Sequence, residues 1–244
     1  MKLKAFAVMA AATALSLGMA GSALASSPAG GAGVKSKPAP QVTGTKLQSA
    51  LLPASAFGSG FTVDSHLSTG SKLWSTRVVL KPSSLSCQAF ALLIVIGGYG
   101  NTAGAVEGVS NPNPNFADYP NIVLTADQAV LQFKTNQAAT SFYNQAYAKY
   151  KQCSAFTENL DGLHIELTTS SLSTTTVNKN KAFQLIQYAD IAELPVASEY
   201  QTTAFVLSGT NVYTINDVGG TNDPVSASLL AKFMNRVQAL YKHH

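Results

Sequence analysis

The sequence predicts an α+β domain in which a central antiparallel β-sheet is packed with a long middle helix and a C-terminal helix and held by one disulfide. Three observations carry this. Runs that alternate apolar and polar side chains recur through the second half of the chain, and two long stretches change to a three- and four-residue apolar period. Only two cysteines, Cys87 and Cys153, are present, and the first 25 residues read as an export signal.

Asp127 to Phe156 organises the chain, because both periods meet there. Ala129, Leu131 and Phe133 alternate with Gln128, Gln132 and Lys134, as expected of a half-buried strand. Thr135 is then placed to cap a helix whose Ala139, Phe142, Ala146, Tyr150 and Cys153 fall on one face. That spacing puts the Cys153 sulfur in the core. In an exported chain with a single possible partner at Cys87, a disulfide is the leading reading, and two free buried thiols are the alternative.

Export rests on Lys2 and Lys4, an apolar run from Ala5 to Leu17, and the small-x-small site Ala23-Leu24-Ala25, which sets cleavage between Ala25 and Ser26. The apolar run is shorter than the roughly 20 residues that a membrane span needs, so no transmembrane segment is expected in the mature protein. Residues 26–45 are rich in Gly, Pro, Ser and Ala and are expected to form a disordered linker, because they bury too little to offset the entropy of ordering. Residues 46–244 then make one domain.

Toward the N-terminus, Leu47 to Leu52 has a short helical pattern that stops at Pro53, after which Phe57 and Phe61 are expected to fold onto the core. SKLWSTRVVL reads as an extended segment, with Trp74 a core or rim residue rather than a ligand-stacking one. A helix is predicted from Ser84 to Ile96. Gly97, Gly98, Gly100 and Gly104 lack the Gly-Lys-Ser/Thr ending and the G-x-G-x-x-G spacing of phosphate loops, so they are read as backbone devices. Residues 109–121 read as a Pro/Asn loop.

After the middle helix, LHIELTTSSL is a strand with Leu163, Ile165 and Leu167 on one face and His164 and Glu166 on the wet face. AFQLIQYADI is another strand, and TTAFVLSGTNVYTINDV is a hairpin turning at Ser208-Gly209-Thr210-Asn211. Thr221 or Asp223 is expected to cap the last helix, with Val225, Leu229, Phe233, Val237 and Leu240 on its buried face.

Composition excludes some functions. The whole chain has a pI near 9.0, but Lys2, Lys4, Lys35 and Lys37 lie in the leader and linker. The domain that remains carries 12 basic against 12 acidic residues, without the basic face a nucleic-acid binder uses. No metal or catalytic site is expected: G-x-S-x-G is absent, and the internal histidines are only His66 and His164.

The segments LLPASAFGSGF, the LSC of Cys87, GYGNTAGA, QAVLQFKTNQAATSFYNQAYAKYKQC and AFVLSGTNVYTIN, in this order, resemble the PknH-like extracellular sensor domain family of actinobacteria. That family includes the external domain of a transmembrane Ser/Thr kinase and many free or lipid-anchored secreted proteins. The resemblance implies a sheet packed with helices, an open cleft and a disulfide between the positions of Cys87 and Cys153. A second disulfide of the kinase domain has no counterpart here, and the kinase itself is absent. The expected function is a secreted, non-catalytic, sensor-like domain, extracellular or associated with the cell wall, without cofactors. It is expected to bind a small-molecule, lipid-like or cell-envelope ligand through residues the sequence does not mark. An envelope hydrolase and a surface protein-interaction module are the alternatives.

Cleavage after Ala25 makes Ser26 the first residue of the exported product. Intact-mass measurement of the secreted protein should match residues 26–244; a mass that retains Met1 to Ala25 would contradict this.

Overall fold

The structure is a computed structural model that describes residues 40–68, 82, 85–87, 99–111, 124–160, 163–191, 199–218 and 222–242. Its frame is one antiparallel sheet of eight strands: β1 (Thr62–Ser68), β2 (Ala103–Asn111), β3 (Leu124–Gln132), β4 (Ala155–Leu160), β5 (Leu163–Val177), β6 (Asn180–Ile191), β7 (Glu199–Ser208) and β8 (Asn211–Val218). Their order across the sheet is β1-β2-β3-β8-β7-β6-β5-β4. Among the described residues three α-helices accompany it: α1 (Gly44–Ser49), α2 (Asn136–Gln152) and α3 (Ala227–Ala239). The α+β class with its long middle helix, C-terminal helix and single disulfide is therefore the observed one.

Each sheet face carries its own core. On one face Ala105, Val130, Ala204, Val206, Tyr213 and Ile215 pack with Leu47 of α1 and Leu230, Phe233, Met234 and Val237 of α3. On the other, Ala129, Leu131, Phe183, Leu185, Phe205 and Val212 pack with Ala139, Phe142, Tyr143, Ala146 and Tyr150 of α2. Thr135 caps α2 as its sequence position predicts, its hydroxyl accepting from the Ala138 N–H at 3.1 Å. Under the helix the Phe183 and Phe205 rings stack with centroids 4.6 Å apart, and Tyr150 meets Phe205 at 5.7 Å. Such pairs add about 0.5–1.5 kcal/mol each beyond the area they bury.

Because both faces are covered, β3 is not the half-buried strand that its alternation suggests. Gln128 and Gln132 are as buried as the apolar residues between them. Four residues apart, they share the α1 face, and each imitates a neighbouring strand. Gln132 Oε1 accepts from the Val42 N–H at 3.0 Å while its Nε2 donates to the Val42 carbonyl at 3.1 Å. Gln128 does the same for Leu52, with both bonds at 2.7 Å. These amides staple the two ends of the α1 segment to the sheet. Losing either would strand a buried N–H and a buried carbonyl, each worth about 1–3 kcal/mol.

Several boundaries differ from the sequence expectation. α1 begins at Gly44 and Val42 is buried, so ordered structure starts inside the expected linker of residues 26–45. Gln132 is the reason, since it supplies partners for Val42. β2 runs through Asn111 where a Pro/Asn loop is predicted from residue 109, and Gly104 is a strand residue. β4, which follows Cys153 almost at once, carries no clear alternation. Ser226 caps α3, not Thr221 or Asp223: its hydroxyl accepts from the Leu229 N–H at 3.2 Å. The buried stripe is accordingly centred on Leu230, Phe233, Met234 and Val237. Trp74 and most of the helix predicted over Ser84 to Ile96 lie outside the described residues.

Two turns show why the long hairpins close tightly. Asn178 and Lys179, both at positive φ of 49° and 66°, join β5 to β6, and Gly209 at φ 59° opens the turn from β7 to β8. Two successive positive φ values give the turn a twist that matches the strands it links.

Cys153 ends α2 and is bonded to Cys87, 66 residues earlier. In the chain-entropy model closure of a loop of that length contributes about 4 kcal/mol. Cys153→Ala should therefore lower the thermal midpoint by roughly 8 °C or more at about 2–4 °C per kcal/mol. A thiol assay on the denatured, unreduced protein should find no free sulfhydryl; two per chain would contradict the bridge.

Candidate ligand-binding site

On the α2 face the central strands change from apolar to polar over three successive levels, β8 first at Thr214, β3 and β7 next at Asp127 and Thr203, and β6 last at Gln187. Down β3 the face reads Leu131, Ala129, Asp127, Thr125; down β8, Val212, Thr214, Asn216; down β7, Leu207, Phe205, Thr203, Gln201; and down β6, Phe183, Leu185, Gln187. The apolar levels lie under α2. Beyond them the pairing register lines up two polar rows. One runs Ser65, Gly108, Asp127, Asn216 and Thr203, then ends on Leu185 and Leu172. The next runs Ser110, Thr125, Val218, Gln201, Gln187 and Thr169.

Asn216 is the hub of the first row. Its Oδ1 accepts from Gln201 Nε2 at 3.1 Å and from Thr203 Oγ1 at 3.0 Å. With its oxygen so engaged, its amide N–H is the group left for the Asp127 carboxylate, to which it is hydrogen-bonded. The carboxyl lies over Gly108, where a Cβ would stand 3.0 Å from both Asp127 Oδ1 and Ser65 Oγ. The missing side chain at 108 is what gives the carboxyl its room. Burial pushes the Asp127 pKa up to about 7; the Asn216 hydrogen bond opposes this and the nearby Asp64 charge adds to it. Asp127 thus changes charge near neutral pH. Burial also pushes Asp217, next to the hub, upward.

Three polar atoms around this network have no partner although they are buried: Thr214 Oγ1, Gln187 Nε2 and Thr169 Oγ1. All three belong to the α2 face, Thr214 beside Asn216 on β8 and the other two paired with each other across β6 and β5. Among the described residues Tyr99 Oη, Gln184 Oε1 and Tyr213 Oη are also buried without a partner, the last two on the α1 face; what sets Gln187 and Thr169 apart is that they lie opposite each other beside a partly exposed edge. Asp127, Asn216, Gln201 and Thr169 keep partial exposure, so the network has an open edge.

The residues singled out from the sequence lie elsewhere. His164 and Glu166 are exposed on β5, alternating with buried Ile165 and Leu167 and therefore on the opposite face from the polar rows. His66 lies in β1 opposite Glu107, and its side chain is outside the described residues. Gly100 adopts a positive φ of 79°, a backbone role. Among the described residues no three His, Cys, Asp or Glu side chains gather as a metal site. The polar rows had one readable signal, the change from apolar to polar toward one end of the same face of four strands.

Comparison with known proteins supplies context for this surface. The family model described as the PknH-like extracellular domain matches residues 42–218. Among solved structures, the chain is similar to the crystal structure of the extracellular domain of PknH from Mycobacterium tuberculosis. That likeness has a TM-score of 0.59 at 18% identity, covering 83% of this chain and 98% of the other. A comparison with curated protein sequences gives no match.

The raised carboxyl has a measurable consequence. Between about 3.8, its ordinary value, and about 7 the folded protein holds a proton at Asp127 that the unfolded chain releases. The stabilisation from that proton is fully present below pH 3.8 and is lost as pH rises to about 7. Asp127→Asn should therefore leave the thermal midpoint nearly unchanged at pH 3.5 and raise it at pH 8, by about 2–4 °C per kcal/mol relieved. Calorimetry at both pH values checks this; equal shifts would show an ordinary carboxylate.

Proposed function

Since this chain belongs to the PknH-like extracellular domain family, we propose that it is a non-catalytic, sensor-like extracellular domain that takes a small-molecule or cell-envelope ligand on the polar rows of its α2 face. The observation that carries the reading is the trio of buried, unpartnered groups at Thr214, Gln187 and Thr169. A sheet evolved for stability alone would place apolar side chains there, as it does at Phe183 and Phe205, which share the level of Thr214 and lie two levels from Gln187 and Thr169. Retaining open hydrogen-bonding groups costs about 1–3 kcal/mol each, and a ligand that completes them offsets the cost. Natural proteins commonly break such rules at binding sites.

The chemistry of the described rows supports the non-catalytic reading. Hydroxyls of Thr203, Thr214 and Thr169 stand beside amides, and the carboxyl near them is bonded to Asn216 rather than to an imidazole. No described histidine faces them, so no hydroxyl there has the base that acyl transfer requires. The family places the domain outside the cell, and among the described residues no helix is long and apolar enough to cross a membrane.

A site maintained against stability predicts opposite effects on folding and binding. Gln187→Leu and Thr214→Val should each raise the thermal midpoint, since each replaces an unsatisfied buried group by an apolar one of similar shape. Native mass spectrometry of protein recovered from its own secretions should show a retained ligand on the unaltered chain and less on both variants. Lower midpoints with no ligand on either form would mean that these groups are structural.

A further inference from the structure

Three features of the polar rows together specify the kind of molecule they fit. The first is the absence of a cation. Among the described residues the two rows hold hydroxyls, amides and the Asp127 carboxyl, with no Lys, Arg or His. A phosphate or carboxylate seated there would lose its hydration, find no counter-charge among the described residues of the rows and face Asp127, which is costly for an ion. The second is the mixture of open capacity. Gln187 Nε2 can only donate, whereas the Thr169 hydroxyl opposite it can donate or accept. An acyl chain would seal both without a bond. A group that both donates and accepts completes them.

The third feature is spacing. Neighbouring strands lie about 4.8 Å apart and same-face residues along a strand about 6.7 Å apart, so the open groups form a grid rather than a single point. Resting on the reading of this surface as a ligand site, we infer that the recognised group is an uncharged, hydroxyl-rich ring system, a neutral sugar or the neutral end of an envelope glycan, held by the Asp127-Asn216-Gln201 edge and the Gln187-Thr169 pair. The first row ends on buried Leu185 and half-buried Leu172, and the exposed part of Leu172 offers apolar surface to the C–H face of such a ring. Asp127, which accepts when charged and also donates when protonated, suits a hydroxyl in either state.

The test is calorimetric titration of the full secreted chain with maltotriose, cellotriose and mannotriose, alongside glucose 6-phosphate, trigalacturonate and laurate. At least one neutral trisaccharide should bind, with affinity falling about tenfold or more in Asn216→Leu and Gln187→Leu, the weight of one or two hydrogen bonds. Should either variant fail to fold by circular dichroism, Gln201→Ala at the open edge replaces it. Binding confined to the anionic sugars or laurate, and weakened by these substitutions, would overturn the neutral-sugar assignment and leave the site in place. Neutral-sugar binding indifferent to every substitution would overturn the site itself. No binding by any neutral trisaccharide would overturn the inference.

Discussion

Over most of their length both faces of the central strands are shut off from water, and that constraint governs the rest of the molecule. β3 and β8 lie inside the sheet with α1 and α3 over one face and α2 over the other. A polar side chain on these strands must find its partner within the protein or leave a hydrogen bond unmade. The chain does both. On the α1 face Gln128 and Gln132 are fully used, each gripping both backbone groups of one residue, and the Tyr241 hydroxyl adds a bond of 2.7 Å to Gln132. On the α2 face Gln187 and Thr214 are buried to a similar degree and not completed. Gln184 Oε1 and Tyr213 Oη on the α1 face are unpartnered too, so it is the partly exposed edge beside Gln187 and Thr169 that distinguishes the α2 face.

The same constraint explains how the helices divide the sheet. α2 covers the levels where Phe183, Phe205, Leu131 and Val212 present apolar surface, and its own aromatic residues interlock there. It ends at Cys153, whose bond to Cys87 fixes the C-terminal end of the helix to an earlier part of the chain. Asn216 stands just past the apolar levels, and its double acceptance from Gln201 and Thr203 fixes which way its amide faces. A rigid frame thereby sets the position of a small number of open groups. Binding sites of high precision are built in this way, on strands rather than on loops.

Much of the frame was legible in the sequence, because periodicity reports which residues share a face. The β3 to α2 switch, the Thr135 cap, the buried stripe through Cys153, strand β5 and the β7 to β8 hairpin all follow from local pattern. β2 was obscured by Gly104, Gly108 and the Ser110-Asn111 end, which imitate loop chemistry. Gly108 is a glycine because Asp127 and Ser65 fill the space above it, and no local pattern contains that fact. β4 was missed because it is a short edge strand with polar Thr157, Glu158 and Asn159. The site was hidden for a related reason. Thr169, Gln187, Gln201, Thr203 and Asn216 come from four strands, and each reads locally as a solvated residue on the wet side of a hairpin. Only the register, which depends on every pairing in the sheet, brings them into line.

The account stands or falls on whether the open groups of the α2 face are completed from outside the chain. Crystallography of the protein purified from its own secretions, at a resolution that separates solvent from ligand, tests this most directly. The expected result is density that is not polypeptide within about 3.2 Å of Gln187 Nε2 or Thr169 Oγ1, continuing past Asn216. Gln187 and Thr169 bonded instead to the chain's own carbonyls, with no other density along the rows, would contradict it.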